Sequence, residues 1–197
     1  DAGAVSQARG FSGGANLAPR TSGSLSVSEA FTFSLWAKTS STNQMYLYGR
    51  DPGTGFQQHA IIFDVALGKI RFHTEGYLGT LATTYSSIAV PDDGWHQYVY
   101  SFDGNYWSAY RDGVQLNYQA CLLALPLTDE LYANRCKFGV SQGAGSSPFV
   151  GSLDEFRVEK AGRSANWIQA NYQTQVSPET FYTPGSVRSK GLLLQVF

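Results

Sequence analysis

The carboxylates that crowd one strand-like segment are Asp154, Glu155 and Glu159, in the run Asp154-Glu155-Phe156-Arg157-Val158-Glu159. Two carboxylates about 5 Å apart are the equipment of a retaining glycosidase, one as nucleophile and one as acid. Successive side chains of a strand point to opposite faces, so Asp154 and Glu155 cannot converge on one substrate. The histidines are His59, His73 and His96, and no Gly-x-Ser-x-Gly elbow offers a serine for any of them to activate. No glycine-rich phosphate loop leads into a helix either. These residue types point to a protein that is not an enzyme. Cys121 and Cys136 lie 15 positions apart. In an oxidising compartment they would close a loop and stabilise the fold by ~3 kcal/mol in the chain-entropy model. The alternative is a pair of free buried thiols. No second Cys or His pair sits near enough to make them a zinc site.

Composition narrows the class. Of 197 residues only 15% are charged, 14% are aromatic and 21 are glycine. Charge this sparse argues against a solvated helical bundle or a coiled coil. Fourteen basic residues against fifteen acidic give a net charge of −1, so there is no footprint for nucleic acid or an anionic membrane. No segment approaches the roughly 18 apolar residues of a membrane span. The chain opens on Asp1-Ala2-Gly3-Ala4, and its one Met is Met45. It reads as a mature secreted chain whose signal peptide has been removed, or as an excised segment.

Period-two alternation with aromatic enrichment dominates the chain. In Ala30–Lys38, Phe31, Phe33 and Leu35 share one face while Thr32, Ser34 and Trp36 share the other. Similar segments are Gln44–Gly49, His59–Val65, Lys69–Thr74, Thr80–Val90, His96–Phe102, Tyr106–Arg111, Val114–Tyr118, Cys136–Ser141 and Gly151–Val158. Turn signals such as Asp93-Gly94, Asp103-Gly104-Asn105 and Asp112-Gly113 separate them. Short strands at this spacing predict an all-β, two-sheet antiparallel β-sandwich or jelly roll. One helix is expected over Ala165–Gln173, capped by Ser164, with Trp167, Ile168 and Tyr172 at helical spacing.

The ordered set Ala30–Lys38, Asp93-Gly94-Trp95-His96 through Asp103-Gly104, Tyr110-Arg111-Asp112-Gly113-Val114, and Gly151-Ser152-Leu153-Asp154-Glu155-Phe156-Arg157 running into Ala161–Ile168 resembles a known family. It is similar to the laminin-G-like jelly roll of the concanavalin A-like lectin/glucanase superfamily, in its bacterial extracellular form. The likeness spans about Gly10 to Tyr182. The glucanase branch of that superfamily carries Glu-x-Asp-x-x-Glu on one strand, and this chain has no such run.

The resemblance implies a secreted, non-catalytic module for recognition of a glycan or an extracellular protein. Sugars stack on exposed rings. The candidates are Trp107, Tyr106, Tyr48 and Tyr77, with Tyr46, Phe56 and Tyr85 behind them. Each competes with the ordinary fate of a ring in a sandwich, which is the core. The resemblance also implies a calcium ion at a sandwich edge, for which Asp51, Asp93 and Asp103 are the candidate ligands and Asp64 and Asp92 further ones. The alternative is that these aspartates form turns.

The C-terminus motivates a second function. The module of residues 1–182 is followed by 183–197, a Pro/Gly/Ser-rich tether and the strand-like Gly191-Leu192-Leu193-Leu194-Gln195-Val196-Phe197. Leu192, Leu194 and Val196 share one face, Leu193 and Phe197 the other. So apolar an end needs a partner. It either completes its own sandwich, where Val5 and Phe11 could join it, or it enters a neighbouring copy and builds a fibre head to tail.

Overall fold

The computed structural model describes residues 8–12, 30–50, 59–64, 69–75, 81–87, 92–120, 136–139 and 147–181. Eleven strands form two antiparallel sheets. The strands are β1 (Arg9–Ser12), β2 (Phe31–Lys38), β3 (Met45–Arg50), β4 (His59–Asp64), β5 (Lys69–Glu75), β6 (Leu81–Ser87), β7 (His96–Phe102), β8 (Tyr106–Arg111), β9 (Val114–Ala120), β10 (Cys136–Phe138) and β11 (Val150–Glu159). Helices α1 (Ala165–Val176) and α2 (Pro178–Phe181) follow. The six-stranded sheet runs β1-β11-β2-β7-β8-β9 and the five-stranded sheet β10-β3-β4-β5-β6. No helix among the described residues is long and apolar enough to cross a membrane.

The alternation seen in the sequence sets the two faces of the larger sheet. Phe31 pairs with Phe102, Phe33 with Tyr100 and Leu35 with Tyr98. Their side chains fill the space between the sheets together with Met45, Leu47, Phe63 and Ile70 from the smaller one. Phe63 meets Tyr98 edge-on across that space at 5.1 Å between centroids. The opposite face of β2 and β7 is also closed, because α1 lies over it. Every residue from Phe31 to Ala37 is therefore buried. Three elements depart from the sequence reading. β1 is only four residues long and pairs with β11, which brings Phe11 into the core edge-on to Phe149. The helix runs on to Val176, and the short α2, which the sequence reading lacks, follows it at the end of the 1–182 module.

Trp107 belongs to this core, which corrects its assignment as a ligand contact. It is 1% exposed and stacks between Tyr100 at 4.6 Å and Phe102 at 4.1 Å, with Phe31 edge-on. The Asp103 turn precedes it by four residues, but strand alternation aims it inward while its neighbour Tyr106 faces out. Its indole N–H has no hydrogen-bond partner among the described residues. Trp107→Ala is expected to cost about 3–5 kcal/mol in urea unfolding. Trp107→Phe should cost much less, since it keeps a stacked ring and removes no hydrogen bond.

Candidate ligand-binding groove

Helix α1 leaves one corner of the outer face uncovered. It packs where Ile168 meets Val99 and Tyr110, and where Tyr172 stacks on Trp36 at 5.8 Å. Trp36 Nε1 donates to Gln175 Oε1 at 2.6 Å, and Gln97 Nε2 donates to Asn171 Oδ1 at 3.2 Å. The start of the helix is tethered by two buried hydroxyls. Thr32 Oγ1 donates to the carbonyl of Ala161 at 2.7 Å, and Ser101 Oγ accepts the backbone N–H of Arg163 at 2.8 Å. Gly162 makes this approach possible, because a Cβ there would stand 2.6 Å from the carbonyl oxygen of Phe102. Ser164 then caps the helix by accepting from Trp167 N.

Beyond the cap, the outer faces of β8 and β9 and the 162–165 segment enclose an open groove of about 660 Å³. Asp103, Ser108, Tyr110, Asn117, Tyr118 and Arg163 are among its walls. At its rim Tyr106, 40% exposed, stacks on Tyr118, 57% exposed, with centroids 4.7 Å apart and planes 10° from parallel. A parallel pair of exposed rings beside a polar cleft is an aromatic platform of the kind that takes the apolar face of a sugar. The Tyr118 phenol is pushed up from its ordinary pKa of 10.0, first by desolvation and then by Tyr106, Asp103 and Tyr110.

Sequence reading found Tyr106 but not Tyr118. The Asp112-Gly113 hairpin, with φ of 53° and 75°, is a type I′ turn and pairs Arg111 with Val114. Unbroken register from there would set Tyr118 opposite Trp107, facing the core. A bulge in β9, opposite the step between Tyr110 and Ala109, shifts the ladder by one, so Tyr118 pairs with Ser108 and turns outward. The alternation signal of β9 cannot show this. Of the other candidates, Tyr48 lies in β3 opposite Ile61, with its side chain outside the described set, and Tyr77 lies outside the described residues.

Of the candidate calcium ligands, Asp93 and Asp103 do not come together. Asp51 lies outside the described residues. Asp93 and Asp103 flank the two ends of β7, which at ~3.3 Å per residue separates them by roughly 20 Å, too far to share an ion. Each instead belongs to a turn. Asp93 adopts a left-handed φ of 61°, and Asp103 Oδ1 accepts from Asn105 N and Tyr106 N, both at 2.8 Å. Among the described residues no three His, Cys, Asp or Glu side chains converge as a metal site. The pairing of Cys121 with Cys136 and the strand of Leu192, Leu193, Leu194, Val196 and Phe197 lie outside the described residues, apart from the backbone of Cys136 at the start of β10. The acidic run on β11 is structural. Asp154 is buried, Glu155 pairs with Arg157 across a bulge, and Glu159 pairs with Arg163.

The far end of the β8–β9 hairpin is pinned by a charged cluster. His96 Nδ1 faces Asp112 Oδ2 at 2.6 Å, and Nε2 faces both Asp92 Oδ1 at 2.9 Å and the Arg111 guanidinium at 2.6 Å. Asp112 Oδ1 accepts from Gln97 N at 2.9 Å. The hydrogen bond from His96, then that from Gly94 N–H, holds Asp92 down from 3.8 to about 2.

Against this geometry stand the comparisons. A family model of the concanavalin A-like lectin/glucanases superfamily, laminin G type, matches residues 11–169. The chain belongs to that superfamily, and its fold is the concanavalin A-like sandwich. No curated protein sequence matches it. Among solved structures, the carbohydrate-binding module CBM40 of the Ruminococcus gnavus IT-sialidase aligns with a TM-score of 0.67 at 17% identity, over 84% of this chain and 96% of that one. That module has also been solved bound to α2,3-sialyllactose. The binding domain of Paraclostridial Mosquitocidal Protein 1 aligns at 0.60 and 12% identity, over 85% of this chain but only 45% of that one. The binding domain of botulinum neurotoxin serotype D aligns at 0.58 and 13%, over 81% and 40%. At these identities what is shared is the fold.

Asp92 gives a pH signature with a fixed sign. Its folded pKa lies below its unfolded value, so its contribution is complete above about pH 4 and is lost as pH falls through about 2. The carboxylate is more than half exposed, so screening keeps the effect below about 1 kcal/mol. Asp92→Asn should lower the unfolding midpoint slightly at neutral pH, and the gap from wild type should close between about pH 4 and pH 2.

Proposed function

We propose that this protein is a non-catalytic carbohydrate-binding module that works outside the cell, and that it holds a saccharide in the groove against Tyr118 and Tyr106. The observation that carries this reading is the exposed, parallel Tyr106–Tyr118 pair at the edge of a polar cleft. The cleft offers hydroxyl and amide groups from Ser108, Tyr110 and Asn117 to sugar hydroxyls, while the ring of Tyr118 meets a pyranose face. A fold held in common with a carbohydrate-binding module supports the reading. The acidic chemistry of the groove also favours binding over hydrolysis. Asp103 is the one carboxylate among the groove's lining residues and Glu159 is paired with Arg163, so no nucleophile–acid pair is placed there. Tyr118→Ala is expected to weaken glycan binding at least tenfold by calorimetry, about 1.4 kcal/mol. Both rings are exposed, so melting should shift by no more than about 2 °C for Tyr118→Ala or Tyr106→Ala. Unchanged affinity in both variants would remove the proposal.

A second reading makes the chain a subunit of an extracellular fibre, with 183–197 as tether and donor strand beside the 1–182 sandwich. The observation favouring it is β9, which among the described residues is an edge strand of seven residues whose sequence VQLNYQA carries neither charge nor proline to block pairing. Deleting Gly191–Phe197 should then abolish high-mass species in light scattering. A wild-type protein that is monomeric at high concentration would sink this reading.

A further inference from the structure

We propose that the groove, taken as the glycan site above, is selective for neutral, hydroxyl-rich pyranosides and turns acidic sugars away. The inference rests on that reading and concerns the charges around it. The cation in the groove wall is Arg163, and its guanidinium is already neutralised. Arg163 Nε donates to Glu159 Oε2 at 2.6 Å, and a terminal nitrogen pairs with the same carboxylate. The guanidinium also lies 4.4 Å from the centroid of the Trp167 ring, and the backbone beside it is tied to Ser101. An anionic sugar would have to displace Glu159 from a partly buried pair, so the planar, two-pronged recognition that arginine gives a carboxylate is taken. Against Gly162, next to Arg163, the groove wall carries Asp103, whose Oδ1 holds two turn N–H groups while Oδ2 is not held in the turn. A carboxylate oxygen accepts well from sugar hydroxyls and repels another carboxylate or a sulfate. Two carboxylates against one guanidinium leave the groove with net negative charge. The remaining polar wall is neutral, from Ser108, Tyr110 and Asn117.

The test is a glycan array in which each neutral oligosaccharide is printed beside its sialylated and sulfated counterparts, followed by calorimetry on the best pair. Wild type is expected to bind neutral members at least tenfold more tightly than their acidic counterparts, with little change between 50 and 500 mM salt. Asp103→Asn should lower neutral binding several-fold. Glu159→Gln, checked by circular dichroism for an intact fold, should release Arg163 and narrow the preference by about threefold or more. Acidic glycans that bind wild type as tightly as neutral ones, and lose binding in Tyr118→Ala, would overturn this inference and leave the glycan reading standing. If the folded wild type bound neither class, or if its binding ignored Tyr118→Ala, the glycan reading would fail and this inference with it.

Discussion

Thr32 and Ser101 face each other across β2 and β7 in register, with their hydroxyl oxygens 3.0 Å apart, buried on the outer side of the larger sheet. Two hydroxyls buried away from water must find partners or destabilise the fold. They find them in the chain at 161–163, which supplies a carbonyl to Thr32 and an N–H to Ser101. That docking decides where α1 begins. It therefore decides how much of the outer face the helix covers, and that Arg163 ends up at the groove wall beside Glu159. The groove is the remainder left after this pair of hydroxyls has positioned the helix.

The same sheet shows how adjacent rings acquire different work. Tyr106 and Trp107 are neighbours in β8, and the pleat sends one outward and the other into the core. The core ring is locked between Tyr100 and Phe102 and contributes to stability. The outer ring gains a partner through a one-residue bulge in β9. A bulge is a small disturbance in a ladder, but in a strand of period two it exchanges the faces of everything beyond it. Without it the tyrosine at 118 would face the core, and the exposed surface would carry a lone ring.

Legibility in the sequence follows from how local each signal is. β7 and β8 and the type I′ hairpin were readable to the residue, because alternation and an Asp-Gly turn are local properties. The helix start was readable from Ser164. β1 was not, since four residues cannot establish a period, and its pairing with β11 joins positions some 140 apart. The exposed tyrosine pair was half readable. Tyr106 carries the alternation of its strand, whereas the outward turn of Tyr118 depends on a register shift that leaves no mark on composition. Trp107 lies close to a turn in the sequence, but the pleat decides burial and sends it inward. The aspartates at 93 and 103 look alike in sequence, each before a glycine in a turn, yet β7 holds them at opposite ends of the sandwich.

Fold and ligand are separable here on physical grounds. A concanavalin A-like sandwich fixes two sheets and their rims, but the charge of any cleft on it is set by a few side chains. In this chain one such choice is Glu159. Its position four residues before Arg163 lets a turn leaving β11 bring carboxylate and guanidinium together. Were that residue neutral, the same backbone would present an unpaired arginine next to an aromatic platform, a combination suited to acidic ligands. One side chain outside the groove wall can therefore set the charge of what the groove accepts while leaving every strand where it is.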